Sequence, residues 1–235
     1  MDTLTNEEID WKRIRLILTV GIIASLAVLA SDMLLGWGKT RAGAFAGLET
    51  MFNKYRTVST GRCVLSAVLG LIGIPAEGLC YSAVYKLIAV GSKSQASVFR
   101  IGVIGNIALG GAAHALCCGA VYFYSRQYTI DPESAFWEGL QFAAFMLLPA
   151  LILYAIFLGI LIFAQFRAFW REMTPYPKWC AVFSIAAGII FFAALKSLGG
   201  APLFEGLAAG SISLGNLLMF GGLLAMSKKA ETGNF

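Results

Sequence analysis

WEGLQFAAFMLLPALILYAIFLGILIFAQF, residues Trp137–Phe166, carries a single charged side chain, Glu138, at its start. A helix rises about 1.5 Å per residue, and about 20 apolar residues cross the hydrocarbon of a bilayer. This stretch is long enough. It shows none of the period-two alternation of a barrel strand, so it reads as a membrane-spanning helix. Five further stretches read the same way, which predicts an all-α bundle of six transmembrane helices in one integral membrane domain, residues 1–235. The spans are expected at about 12–37, 63–90, 98–124, 137–166, 179–197 and 203–226. The composition agrees. Of 235 residues, 58% are hydrophobic and 13% charged, against about 45–50% and about 25% in soluble domains. That excess excludes an ordinary soluble domain, because a chain this short cannot bury so much apolar surface, and it excludes disorder.

The first apolar run follows an acidic leader, MDTLTNEEID, and is longer than the core of a signal peptide, so it is expected to stay as an uncleaved helix. The net charge of +5 comes from basic residues that flank apolar runs. It points to membrane lipids as partners and not to nucleic acid. With the N-terminus inside, eleven of the 18 Lys and Arg fall on the cytoplasmic side and seven on the other. This favours cytoplasmic termini. The connection from Gly38 to Arg62 repeats apolar residues at helical spacing, Phe45, Leu48, Met51, Phe52 and Tyr55. It reads either as an interfacial amphipathic helix between the first and second spans or as a simple loop.

Function must be sought where polar residues enter the apolar runs, since ionisable groups there are costly and mark function or pairing. Glu77, between Arg62 and Lys86, and His114, between Arg100 and Arg126, are both expected near mid-membrane. Asp32, Lys196 and Glu205 fall toward the outer side, and Asn216 lies inside the last span. The inner half is nearly featureless, which suggests a polar pocket open to the outside. Buried hydrogen bonds that merely orient helices are the alternative. In the second span Pro75 adjoins Glu77 between glycines, a kink beside an acid. Tyr81 shares a helix face with Glu77. Packed face to face, the second and third spans would let Glu77 hydrogen-bond His114 and relay a proton. Gly102, Gly105 and Gly110 offer a small-residue surface for close packing.

His114, Cys117, Cys118 and Cys80 form a rival constellation of soft metal ligands. The chain has one His and no Cys-x-x-Cys, and buried thiols are commonly just small apolar residues. No phosphate-binding, dinucleotide, nucleophile-elbow or HExxH motif occurs, so no cofactor is expected.

The stretch Ala30-Ser31-Asp32-Met33-Leu34-Leu35-Gly36-Trp37, followed by Gly73-Ile74-Pro75 and a lone His in the third span, resembles an uncharacterised family of bacterial multi-pass membrane proteins. The resemblance implies a six-helix protein of a bacterial inner membrane with no assigned activity. Three classes of function remain open. One is binding or transport of a small molecule or lipid, with Asp32, Glu77, His114, Tyr81 and Asn216 at the pocket and Lys196 and Glu205 at its mouth. The second is an intramembrane enzyme using Glu77 and His114 as acid and base on a lipid-like substrate. The third is a structural or regulatory membrane partner without a ligand.

Overall fold

The computed structural model describes residues 9–39, 52–198 and 200–235, and they are almost wholly helical. Helix α1 spans Trp11–Gly36, α2 Thr60–Ala89, α3 Lys93–Ile130 and α4 Ala135–Trp170. Helix α5 spans Ile185–Ala194, α6 Pro202–Ala209 and α7 Ser211–Thr232. Asp10, Ser59 and Ser92 cap α1, α2 and α3 by accepting from Arg13, Arg62 and Gln95 backbone N–H groups, so these starts follow from local chemistry. Arg62 closes the other end of α1. Its Nε donates to Leu34 O at 2.8 Å and its Nη2 to Trp37 O at 2.9 Å, which satisfies carbonyls the helix leaves open. In α4 a π turn at Ala143–Leu147 comes just before Pro149, whose ring cannot follow a regular α turn.

The helices pack in series, α4 on α3, α3 on α2, α2 on α1, α1 on α7 and α7 on α5. Helices α1 and α7 run antiparallel, and Arg15 meets Glu231 at 2.8 Å, so the two described ends of the chain share one end of the bundle. The half of the bundle nearer those ends is a dry core. Leu18, Val84, Leu87, Phe99, Leu161, Phe220 and Leu223 are almost completely buried in it. Small residues set the tightest crossings. A Cβ on Gly188 would lie 2.1 Å from Gly215 Cα, so α5 and α7 touch backbone to backbone. The small-residue surface of α3 receives α4, with Gly102 under Leu161 and Gly105 under Phe157.

Among the described residues, four helices are long and apolar enough to cross a membrane: α1, α2, α3 and α4. The pair α6 and α7, bent by 67°, makes a fifth when taken as one crossing. The expected span 179–197 is not one helix. A 3₁₀ turn at Lys178–Val182, a break, α5 and a second 3₁₀ turn at Leu195–Leu198 take its place. Pro175 and Pro177 remove backbone donors at its start. A neighbouring helix serves the break, since Gln165 Nε2 donates to Phe183 O at 3.2 Å, and the segment before it is tied to α7 by Tyr176 Oη donating to Leu223 O at 2.9 Å. The expected span 203–226 is likewise not straight, because Gly210 ends α6 and the chain turns into α7. Most of the amphipathic stretch expected between the first two spans, including Phe45, Leu48 and Met51, lies outside the described residues. Its described end is a 3₁₀ turn, Lys54–Thr57.

Candidate functional site

A cavity of about 160 Å³ opens in the half of the bundle away from the dry core. Helix α1 lends it Val28 and Asp32, and α2 lends Ile74 and Glu77. Gly110, Ala113, His114 and Cys117 come from α3, Leu151 and Tyr154 from α4, and Ala209, Ile212 and Ser213 from the bent pair. Asp32, Glu77 and His114 therefore face one space, brought there by three different helices.

Their partners differ. Ser213 Oγ donates to Asp32 Oδ2 at 2.6 Å, and Asp32 Oδ1 lies 3.5 Å from His114 Nδ1. His114 Nε2 lies 2.8 Å from Ser31 Oγ and 3.1 Å from Ser66 Oγ. The two serine hydroxyls donate to each other's carbonyls, at 2.7 and 2.8 Å. With both hydroxyl protons directed there, the serine oxygens are placed to accept from a protonated Nε2. Gly70 makes the ring fit, since a Cβ on it would lie 2.2 Å from His114 Cδ2.

Glu77 is buried and accepts from Ser25 Oγ. The Asn216 amide lies beside Glu77, and its Nδ2 makes no hydrogen bond among the described residues. Tyr81 Oη donates to Asn216 Oδ1 at 2.8 Å. Tyr81 and Asn216 thus stand behind the cavity wall and position Glu77 without lining the space.

The expected Glu77–His114 hydrogen bond is not formed. The register of the antiparallel helices α2 and α3 explains this. Gly70 lies against His114, Ile74 against Gly110 and Gly78 against Ile107. Glu77 therefore sits level with the turn around Ile107, about 10 Å along the axis from His114 at helical rise. Distance from flanking charges suggested equal depth, but packing register decides it.

The four residues of the rival metal constellation are spread apart. Cys118 points to a small apolar cluster with Leu35, Val58, Cys63 and Val121 and donates to Ser66 Oγ at 3.5 Å. Cys80 belongs to the dry core, and only Cys117 joins His114 at the cavity. Among the described residues no group of three or more His, Cys, Asp or Glu side chains could hold a metal ion.

At the expected mouth, Glu205 is engaged in an ion pair with Lys54 at 2.9 Å, with side chains 2% and 9% exposed. Burial by itself depresses the Lys54 ammonium, but Tyr55 and Glu205 outweigh it and hold its pKa above the ordinary 10.5. The Lys196 side chain lies outside the described residues. A second, apolar chamber of about 200 Å³ adjoins the polar cavity, and Cys117 lines both. Phe52, Tyr55, Val121, Tyr124, Ala143 and Leu147 line this chamber with Lys54. Ser25, Ser31, Ser66, Ser213, Tyr154 and Lys54 carry site geometry that sequence reasoning missed. Serine is common in membrane helices and gives no signal until its neighbours are known.

The helices are those of a chain compatible with membrane insertion. No curated protein and no solved structure matches it. A model of a family of unknown function matches residues 1–230, and the chain accordingly belongs to that family, DUF6796.

Proposed function

We propose that the protein binds, and in the course of its work transports, a small molecule or lipid head group in the cavity between Asp32, Glu77 and His114. The observation that carries this reading is the convergence on one space of two carboxylates and an imidazole from separate apolar helices. Intramembrane ionisable groups are expensive to keep, and here Glu77 stands in no ion pair with either of the other two among the described residues. In this reading the stretch between Trp170 and Pro202 is a sixth, broken crossing. The polar cavity then opens toward the outside, and both termini face the cytoplasm of a bacterial inner membrane. The balance of flanking Lys and Arg supports that orientation. An acid–base enzyme is the second reading, favoured by Glu77 and His114 sharing the cavity. Their axial offset weighs against both acting on one small reacting atom.

Native mass spectrometry of the full chain, extracted with its lipid shell, tests the proposal. A small bound molecule is expected to accompany the wild type and to be absent from Leu151→Trp, which fills the cavity from its half-buried α4 wall. A wild type that carries nothing beyond bulk lipid, or a filled variant that keeps the same bound mass, would overturn it.

A further inference from the structure

The charge inventory of the cavity is one-sided. Asp32 and Glu77 line it, and no Lys or Arg does. Asp32 has His114 at 3.5 Å. Glu77 accepts from the Ser25 hydroxyl and shares the cavity with Asp32 and His114. The nearest lysine of the adjoining chamber, Lys54, is held by Glu205 at 2.9 Å. A carboxylate in an apolar slab needs a positive partner or a proton. Among the described residues no Lys or Arg lines the cavity beside Glu77, so its counterpart is a proton or an occupant with a positive head, and an anion would only add to the negative charge.

The second observation concerns the other end of that occupant. Cys117 is a wall of the polar cavity and of the apolar chamber. The chamber presents aliphatic Ala120, Val121 and Leu147 and the rings of Phe52, Tyr55 and Tyr124. Volumes of about 160 and 200 Å³ side by side suit a head group and a short tail. A bare divalent metal suits them poorly, since no three ligating groups converge among the described residues.

Building on the binding reading above, we infer that the occupant is an amphiphilic organic cation. Its ammonium head sits in the cavity that Asp32 and Glu77 line, and its apolar tail passes Cys117 into the chamber of Val121, Tyr124 and Leu147.

The test uses the full chain in zwitterionic lipid nanodiscs, with Cys63, Cys80, Cys118 and Cys180 replaced by Ala so that Cys117 is the only thiol. The rate of Cys117 modification by methyl methanethiosulfonate, a small neutral reagent, is measured alone and with hexyltrimethylammonium, hexyl sulfate or hexanol. Hexyltrimethylammonium is expected to slow modification about tenfold at a concentration where the other two change it less than about twofold, a difference that one charge contact accounts for. Glu77→Gln should abolish most of that protection, and Asp32→Asn should do so through the other carboxylate, so the result does not hang on one variant's folding. Equal protection by all three compounds, or stronger protection by hexyl sulfate, would overturn the cationic assignment and leave the binding reading standing. A Cys117 that no compound protects, or that the reagent never reaches, would overturn both.

Discussion

His114 Nδ1 stands 3.5 Å from Asp32 Oδ1, while the other face of the ring, through Nε2, is held by Ser31 and Ser66. The imidazole is thus clamped between a carboxylate that lines the cavity and a pair of hydroxyls buried behind it. Because the chain has one histidine, ring ¹⁵N labelling reads this clamp directly. The Nε2 resonance should be that of a protonated nitrogen, since both serine protons are directed at carbonyls. Asp32→Asn should move the Nδ1 resonance and leave Nε2 nearly in place. An Nδ1 resonance indifferent to that substitution would show that the contact does not form.

Gly70 is the space in which the ring sits. Its Cβ would lie 2.2 Å from His114 Cδ2 and 2.8 Å from Cγ. Gly70→Ala should therefore cost about 1–3 kcal/mol of stability through overpacking and should shift both ring nitrogens. Gly61→Ala, in the same helix with nothing within 4 Å of the new methyl, is the control and should leave the thermal midpoint of the solubilised protein unchanged or slightly raised.

Lys54 and Glu205 make the one buried ion pair among the described residues, joining the chain before α2 to the short helix α6. Removing Glu205 takes the carboxylate from a buried ammonium. Glu205→Gln should cost about 3–5 kcal/mol, while Lys54→Met with Glu205→Leu should recover most of it. Arg15 and Glu231 are 30% and 41% exposed, so Arg15→Ala should cost less than about 1 kcal/mol. The pH dependence has a definite sign. The Lys54 pKa is raised above 10.5 in the folded chain, so its stabilisation is fully present below the ordinary lysine value and is lost as pH rises through the elevated one. Thermal midpoints that fall no faster above pH 10.5 in the wild type than in the double variant would contradict this.

What could be read without coordinates follows from which forces are local. Residues 12–37 and 63–90 were expected as spans, and α1 and α2 run Trp11–Gly36 and Thr60–Ala89. Uninterrupted hydropathy and a capping serine are local properties. Residues 179–197 look equally apolar, yet the helix there is broken. Its open Phe183 carbonyl is served by Gln165 from outside the run, a tertiary fact that hydropathy cannot encode. The site divides in the same way. Asp32, Glu77 and His114 stand out because charge is rare in apolar helices. Which of them touch depends on the α2–α3 register that Gly70, Gly78 and Gly110 permit, and spacing along each helix leaves that register open.

The broken stretch between α4 and α6 decides how often the chain crosses. Arg15 and Glu231 place the described ends of the chain together, so the number of passages between the two ends of the bundle is even. Helices α1 to α4 make four, and the bent pair α6 and α7 makes one more. In the six-crossing reading proposed above, the pieces from Lys178 to Leu198 carry the chain back across, with Gln165 serving the open Phe183 carbonyl on the way. In a chain with all five native cysteines replaced, single cysteines at Asp131 and Ser197 should react with an impermeant thiol reagent from one side of the membrane, and those at Arg171 and Lys228 from the other. Ser197→Cys reacting together with Arg171→Cys would make the stretch re-entrant. Gln165→Leu leaves the Phe183 carbonyl unpaired in an apolar setting and should cost about 1–3 kcal/mol. It should also speed amide exchange from Lys178 to Ile185 more than in α1 or α2. Uniform exchange across these helices would mean that Gln165 does not hold the crossing together.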